Sequence, residues 1–103
     1  MSTTVPFGDV ATVQTIATTH AALTEAVENH VSVALDLAMV KDADLSLIQL
    51  VEAARAYAQR EHKAIRLTAP ANPVVAALLK RAGFLTKLTP ETIDFWFHGE
   101  QPA

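Results

Sequence analysis

Seven residues, Val31 to Leu37 (VSVALDL), restrict most narrowly what this chain can fold into. Val31, Val33, Leu35 and Leu37 share one face of an extended strand, and Ser32, Ala34 and Asp36 share the other. The second face is small near its middle, as expected where a helix packs closely on a sheet. On both sides of this run the hydrophobic period changes from two to 3.6. A strand placed between helical stretches belongs at the centre of a mainly parallel sheet, with right-handed crossovers to its neighbours.

Before the strand, helical spacing runs from about Val10 to Asn29. Val13, Ile16, Ala17, His20, Leu23 and Val27 recur at intervals of three and four, while Thr12, Gln14, Thr18, Thr19, Glu25 and Glu28 are mostly elsewhere on the wheel. Asp9 is the expected N-cap and Asn29 the expected stop. Its many threonines give this helix weak propensity, so packing has to hold it. Ahead of it, Thr3 to Phe7 (TTVPF) reads as a short strand. Pro6 cannot donate to a ladder and puts that strand at an edge. Gly8 and Asp9 then form a turn.

After the central strand, Asp44 to about His62 is the strongest helix. Leu47, Leu50, Val51, Ala54, Tyr57 and Ala58 form an apolar arc, with Gln49, Glu52, Ala56 and Gln59 opposite and Arg60, Glu61 and Lys63 closing it in mixed charge. Ala64 to Leu67 (AIRL) is a short strand, followed by a turn over Thr68 to Ala71. A further helix carries the clearest punctuation in the chain: Asn72 at N-cap, Pro73 at the first helical position, Lys80 and Arg81 in the last turn, and Gly83 as the left-handed residue beyond it. Its stripe is Val75, Leu78, Leu79 and Ala82, and Phe84 and Leu85 are expected to pack back on the core. Thr89 and Pro90 break the chain. Ile93 to Phe97 (IDFWF) is expected as a last strand or a packed tail, and residues 99–103 as a frayed end.

The expected fold is α/β: a single-layer, mainly parallel or mixed sheet of about four strands packed by three to four helices. With 103 residues, half of them hydrophobic, one domain over 1–103 with one real core is expected. Charged residues are 18% of the chain, which argues against disorder. The net charge of −3 and the lack of a basic patch argue against a nucleic-acid partner. The longest apolar run, Val74 to Leu79, is far too short to span a membrane, and MSTTVPFGD does not resemble a signal peptide. The absence of cysteine fits a cytoplasmic setting and excludes thiolate chemistry.

Catalytic machinery is not visible. His20, His30, His62 and His98 fall in different elements, without metal-ligand spacing. Three glycines are too few for a phosphate-cradling loop. Asp36, Asp42 and Asp44 resemble an acidic Mg²⁺ cluster, but each has a simpler reading: strand residue, turn residue and helix cap. No enzyme activity, cofactor or metal is expected. The chemistry present lies at the start of the Asp44 helix. With Asp44 as N-cap, Ser46 sits in the first turn, where free N–H groups and the helix dipole favour an anion. A phosphate there would add about −1.5 to −2 charges and would be repelled by Asp42 and Asp44. Leu45 lies nearly opposite the apolar arc, beside Gln49 and Glu52, where a polar residue is expected. Its position next to Ser46 points to a contact patch.

The ordered set Leu35-Asp36-Leu37, Asp44, Ser46, Gln49-Leu50, Ile65 to Leu67, Pro70 and Leu79 to Gly83 resembles the STAS domain, the family of anti-sigma factor antagonists. The likeness covers about 31–85; the first third fits in its strand-then-helix order. It implies a protein-binding module whose partner is an anti-sigma-type kinase or regulator, with a complex broken by phosphorylation of a hydroxyl after the loop Asp. Carried over, Asp44 is the loop acid and Ser46 the acceptor, and the binding surface is Asp42, Asp44, Leu45, Ser46 and Gln49. Leu45 stands where the family often has a first hydroxyl and Leu47 where it often has Gly, so switched and constitutive binding both stay open. Gln49-Leu50 is similar to family members that stand beside chemotaxis kinases. Another branch consists of accessory subunits docked on the ATPase of lipid-transporting ABC systems. Neither oligomeric state nor any bound nucleotide or lipid follows from the resemblance.

Overall fold

The structure is a computed structural model that describes residues 2–84 and 89–99. In chain order the elements are β1 (Ser2–Pro6), β2 (Val10–Ala11), α1 (Ile16–Asn29), β3 (Ser32–Asp36), β4 (Asp42–Ala43), α2 (Leu45–Arg60), β5 (Ala64–Leu67), α3 (Pro73–Arg81) and α4 (Pro90–Phe97). The architecture is α/β. A parallel sheet in the order β1-β3-β5 is accompanied by a small parallel sheet, β2-β4.

β3 takes the central place its alternation predicts. Val33, Ala34 and Leu35 are all buried, so both of its faces are covered, as in a sheet flanked by packed elements. In register, Ser2 lies opposite Ser32 and Ser32 opposite Ala64, and the ladder runs to Pro6 opposite Asp36 on one side and Leu67 opposite Leu35 on the other. Pro6 is the last residue of β1, an edge strand. α1 packs on β1 and β3, α2 on α1 and β5, and α4 on β5. One continuous core joins them, with Leu23, Leu35, Leu47, Ile48, Leu67, Leu79 and Trp96 each almost wholly shielded from solvent.

α1 begins six residues later than its periodicity implies. Val10 and Ala11 are instead a short strand paired with Asp42 and Ala43, and the N-cap is Thr15, not Asp9. The carbonyl of Asp9 accepts N–H bonds from Lys41 and Asp42. Pairing with β4 outcompetes a helix start that the threonine-rich sequence supports only weakly. In consequence Val13, placed on the core stripe by spacing, is 70% exposed, and His20 is exposed as well. Asp42, expected in a turn, is a β4 residue.

α2 starts at the expected cap, but its buried arc is wider than the wheel indicates. Ile48 is fully buried, and Glu52 accepts from Arg55 Nη1 at 2.8 Å and from Trp96 Nε1 at 3.3 Å. The reason is α4, which covers that side. Thr89 and Pro90 do not break the chain. They are the N-cap and first residue of α4, with Thr89 Oγ1 accepting from the Thr92 N–H. Ile93 to Phe97 is therefore helical and not a strand. Phe95, Trp96 and Phe97 are all buried, and Trp96 meets Phe95 edge-on at 5.2 Å. The α3 signals hold as read: Asn72 caps, Pro73 leads, and Gly83 has φ +82°. Phe84 packs on the core. Leu85 and the tail 100–103 lie outside the described residues.

Candidate functional site

The carboxyl ends of β1 and β3 open onto the small β2-β4 sheet, which leads directly into α2. Open parallel sheets carry their binding residues at this end. Asp44 organises the junction. Its backbone is extended, as an N-cap requires (φ −129°, ψ −173°). Its Oδ1 accepts from the Ser46 N–H at 3.0 Å and from the Ser46 hydroxyl. Its Oδ2 accepts from the Val13 N–H at 2.9 Å, thirty-one residues away. The Asp44 N–H in turn donates to the Ala11 carbonyl at 3.3 Å. One carboxylate thus joins the first turn of α2 to the segment between β2 and α1. The Ser46 hydroxyl, the Val13 N–H and the Ser46 N–H all favour the ionised form and hold this carboxyl below its ordinary range, against the opposing effect of burial.

Ser46 is half-buried and its hydroxyl is committed to Asp44. Leu45 projects from the first position of α2 with 48% of its surface exposed. Gln49, one turn on, is exposed. Asp42 is exposed on β4, opposite Val10. The five residues singled out in the sequence all lie on β4 and the first turns of α2, and Asp44 and Ser46 are bonded to each other. The acids have separate roles. Asp36 Oδ1 accepts from the Ala38 N–H at 3.0 Å and shapes the exit from β3, Asp42 sits on a strand, and Asp44 caps α2.

Two features of the surface were not legible in sequence. Val13 belongs to it because Asp44 fixes its amide. The run of β-branched and threonine residues from Val10 to Thr15, a poor helix start, was the available signal. Met39, 63% exposed, stands on the loop between β3 and β4. The histidines do not join the site. His30 and His62 lie at the far ends of α1 and α2, and His98 Nε2 donates to the Leu67 carbonyl at 3.0 Å.

A family model described as "Mlab, STAS domain" matches residues 5–90. No curated protein and no solved structure matches the chain. The matched span runs from the end of β1 through α3, including the whole junction around Asp44 and Ser46, and the chain belongs to the STAS domain family.

Proposed function

We propose that this STAS protein is a non-catalytic docking module of the anti-sigma-antagonist type. It binds a partner kinase or regulator through the surface of Asp42, Asp44, Leu45, Ser46 and Gln49, and Ser46 is the phosphate acceptor. STAS domains are generally non-catalytic. The observation that carries the reading is the exposed Leu45 at the head of α2, directly beside a serine whose hydroxyl is bonded to the helix cap.

Modification at Ser46 has a defined local consequence. It removes the hydroxyl proton that Asp44 accepts and sets about −1.5 to −2 charges within contact of a carboxylate. The helix end offers only about half a positive charge in return. Repulsion therefore wins, Asp44 turns away, and the Val13 amide loses its partner. The two halves of the surface separate, which is how a phosphate there would release a bound protein.

The test uses the purified protein, an anti-sigma-type kinase and ATP, with intact-mass spectrometry on wild type and Ser46→Ala. Phosphate on wild type alone supports the switch. A wild type that binds the kinase yet stays unmodified removes the switch and leaves constitutive docking. Failure to bind, with co-purification on a transport ATPase instead, moves the assignment to an accessory ABC subunit.

A further inference from the structure

The loop between β3 and β4 is held from three directions. At its start Asp36 Oδ1 accepts from the Ala38 N–H, and at its end the Lys41 N–H donates to the Asp9 carbonyl at 2.7 Å. In the middle, the Asn72 side chain closes it. Asn72 Nδ2 donates to the Val40 carbonyl at 2.9 Å and the Leu37 carbonyl at 3.2 Å, with the Ala38 carbonyl at 3.4 Å. Its Oδ1 faces the other way and accepts from the Val75 N–H at 2.9 Å as the cap of α3. Leu37 and Val40 are buried anchors, and between them Met39 is held out into solvent. An apolar, adaptable side chain on a rigidly anchored loop is arranged for contact, because ordering is already done before a partner arrives.

We infer that the docking surface is composite: the Met39 loop is its second half, and Asn72 is the positioning residue that fixes that loop against the start of α3. This rests on the docking role proposed above and extends it to residues outside 42–49. Of the five large apolar side chains exposed among the described residues, Val10, Val13, Met39 and Leu45 all lie on segments at this end of the sheet, and only Val31 is at the other. The segments that carry them, 7–15 and 36–49, hold four carboxylates, Asp9, Asp36, Asp42 and Asp44, against one ammonium, Lys41. The occupant is accordingly a protein surface with an apolar centre and a basic rim. A second copy of this chain would bring the same carboxylates and be repelled.

Asn72→Asp separates the two jobs of Asn72, since Asp caps a helix as well as Asn but has no N–H to donate to the loop carbonyls. In the free protein, amide exchange at Val40 and Lys41 is expected to accelerate roughly tenfold or more in Asn72→Asp while the Val75 amide stays protected. Unchanged exchange at Val40 and Lys41 overturns the positioning role. Affinity for the purified anti-sigma-type kinase is the second arm. Met39→Asp, which changes only an exposed side chain, and Asn72→Asp are each expected to weaken binding about tenfold, or ~1.4 kcal/mol. If Leu45→Asp abolishes binding while both of these bind as wild type, the inference falls and the docking role stands. If Met39→Asp weakens binding and Leu45→Asp does not, the 42–49 surface falls and the loop remains. A wild type that binds no such kinase removes both.

Discussion

Replacing Leu45 tests the docking surface with little risk to the fold. Leu45 is 48% exposed at the first position of α2, so about half of its side chain is available to a partner. Fully burying a leucine is worth about 1.5–3 kcal/mol, so completing its burial in a complex should contribute roughly 1 kcal/mol. Leu45→Ala forfeits most of that and should raise Kd about fivefold. Leu45→Asp adds the cost of desolvating a carboxylate in an apolar contact, which brings the expected loss to ~2–4 kcal/mol, or roughly 30-fold or more. Isothermal titration against the purified kinase measures both variants. Thermal unfolding provides the control: an exposed substitution should stay within about 0.5 kcal/mol of wild type. If both variants bind within twofold of wild type while folding normally, Leu45 is not part of the interface.

Acid unfolding should report on Asp44. Its folded pKa lies below the unfolded value of about 3.9, so its contribution is complete above that pH and is lost as pH falls through the folded pKa. Asn caps helices equally well, so Asp44→Asn should flatten the decline of the thermal midpoint below about pH 4; an identical acid profile contradicts the bonding around Asp44. Gly83→Ala meets no neighbouring atom but must adopt φ +82°, and should cost about 1 kcal/mol in chemical denaturation. Trp96 is wholly buried, and Trp96→Ala should cost ~3–5 kcal/mol, a loss large enough to leave α4 undocked in amide exchange.

The sequence is most legible where local chemistry and tertiary packing agree. Asn72, Pro73 and Gly83 bracket α3 because each satisfies a backbone requirement without outside help. β3 is legible because both of its faces are covered and its alternation is clean. Errors fall where a distant partner decides, or where a local helix start was read as a break. Val10 and Ala11 become a strand only because Asp42 and Ala43 lie beside them. Ile93 to Phe97 is apolar enough for either period, and the Thr89 cap with Pro90 at the first helical position tips it to helix. At the site, Asp44, Leu45 and Ser46 could be placed from the helix start alone. Val13 and Asn72 could not, since their parts depend on bonds spanning thirty or more residues.

The registers have a kinetic consequence. Ser2 pairs with Ser32, Val10 with Asp42 and Ser32 with Ala64, so every ladder joins residues about thirty apart and none forms from a hairpin. Each pairing must close a long loop before it is rewarded, which makes folding of this small chain slow for its size. The two-residue β2-β4 ladder has the least to gain from its closure. It should be the last pairing to form and the first to open, with amide exchange at Asp42 and Asp44 faster than in β3. Opening of this short ladder would leave the central strand and the Asn72 bonds to the Met39 loop in place.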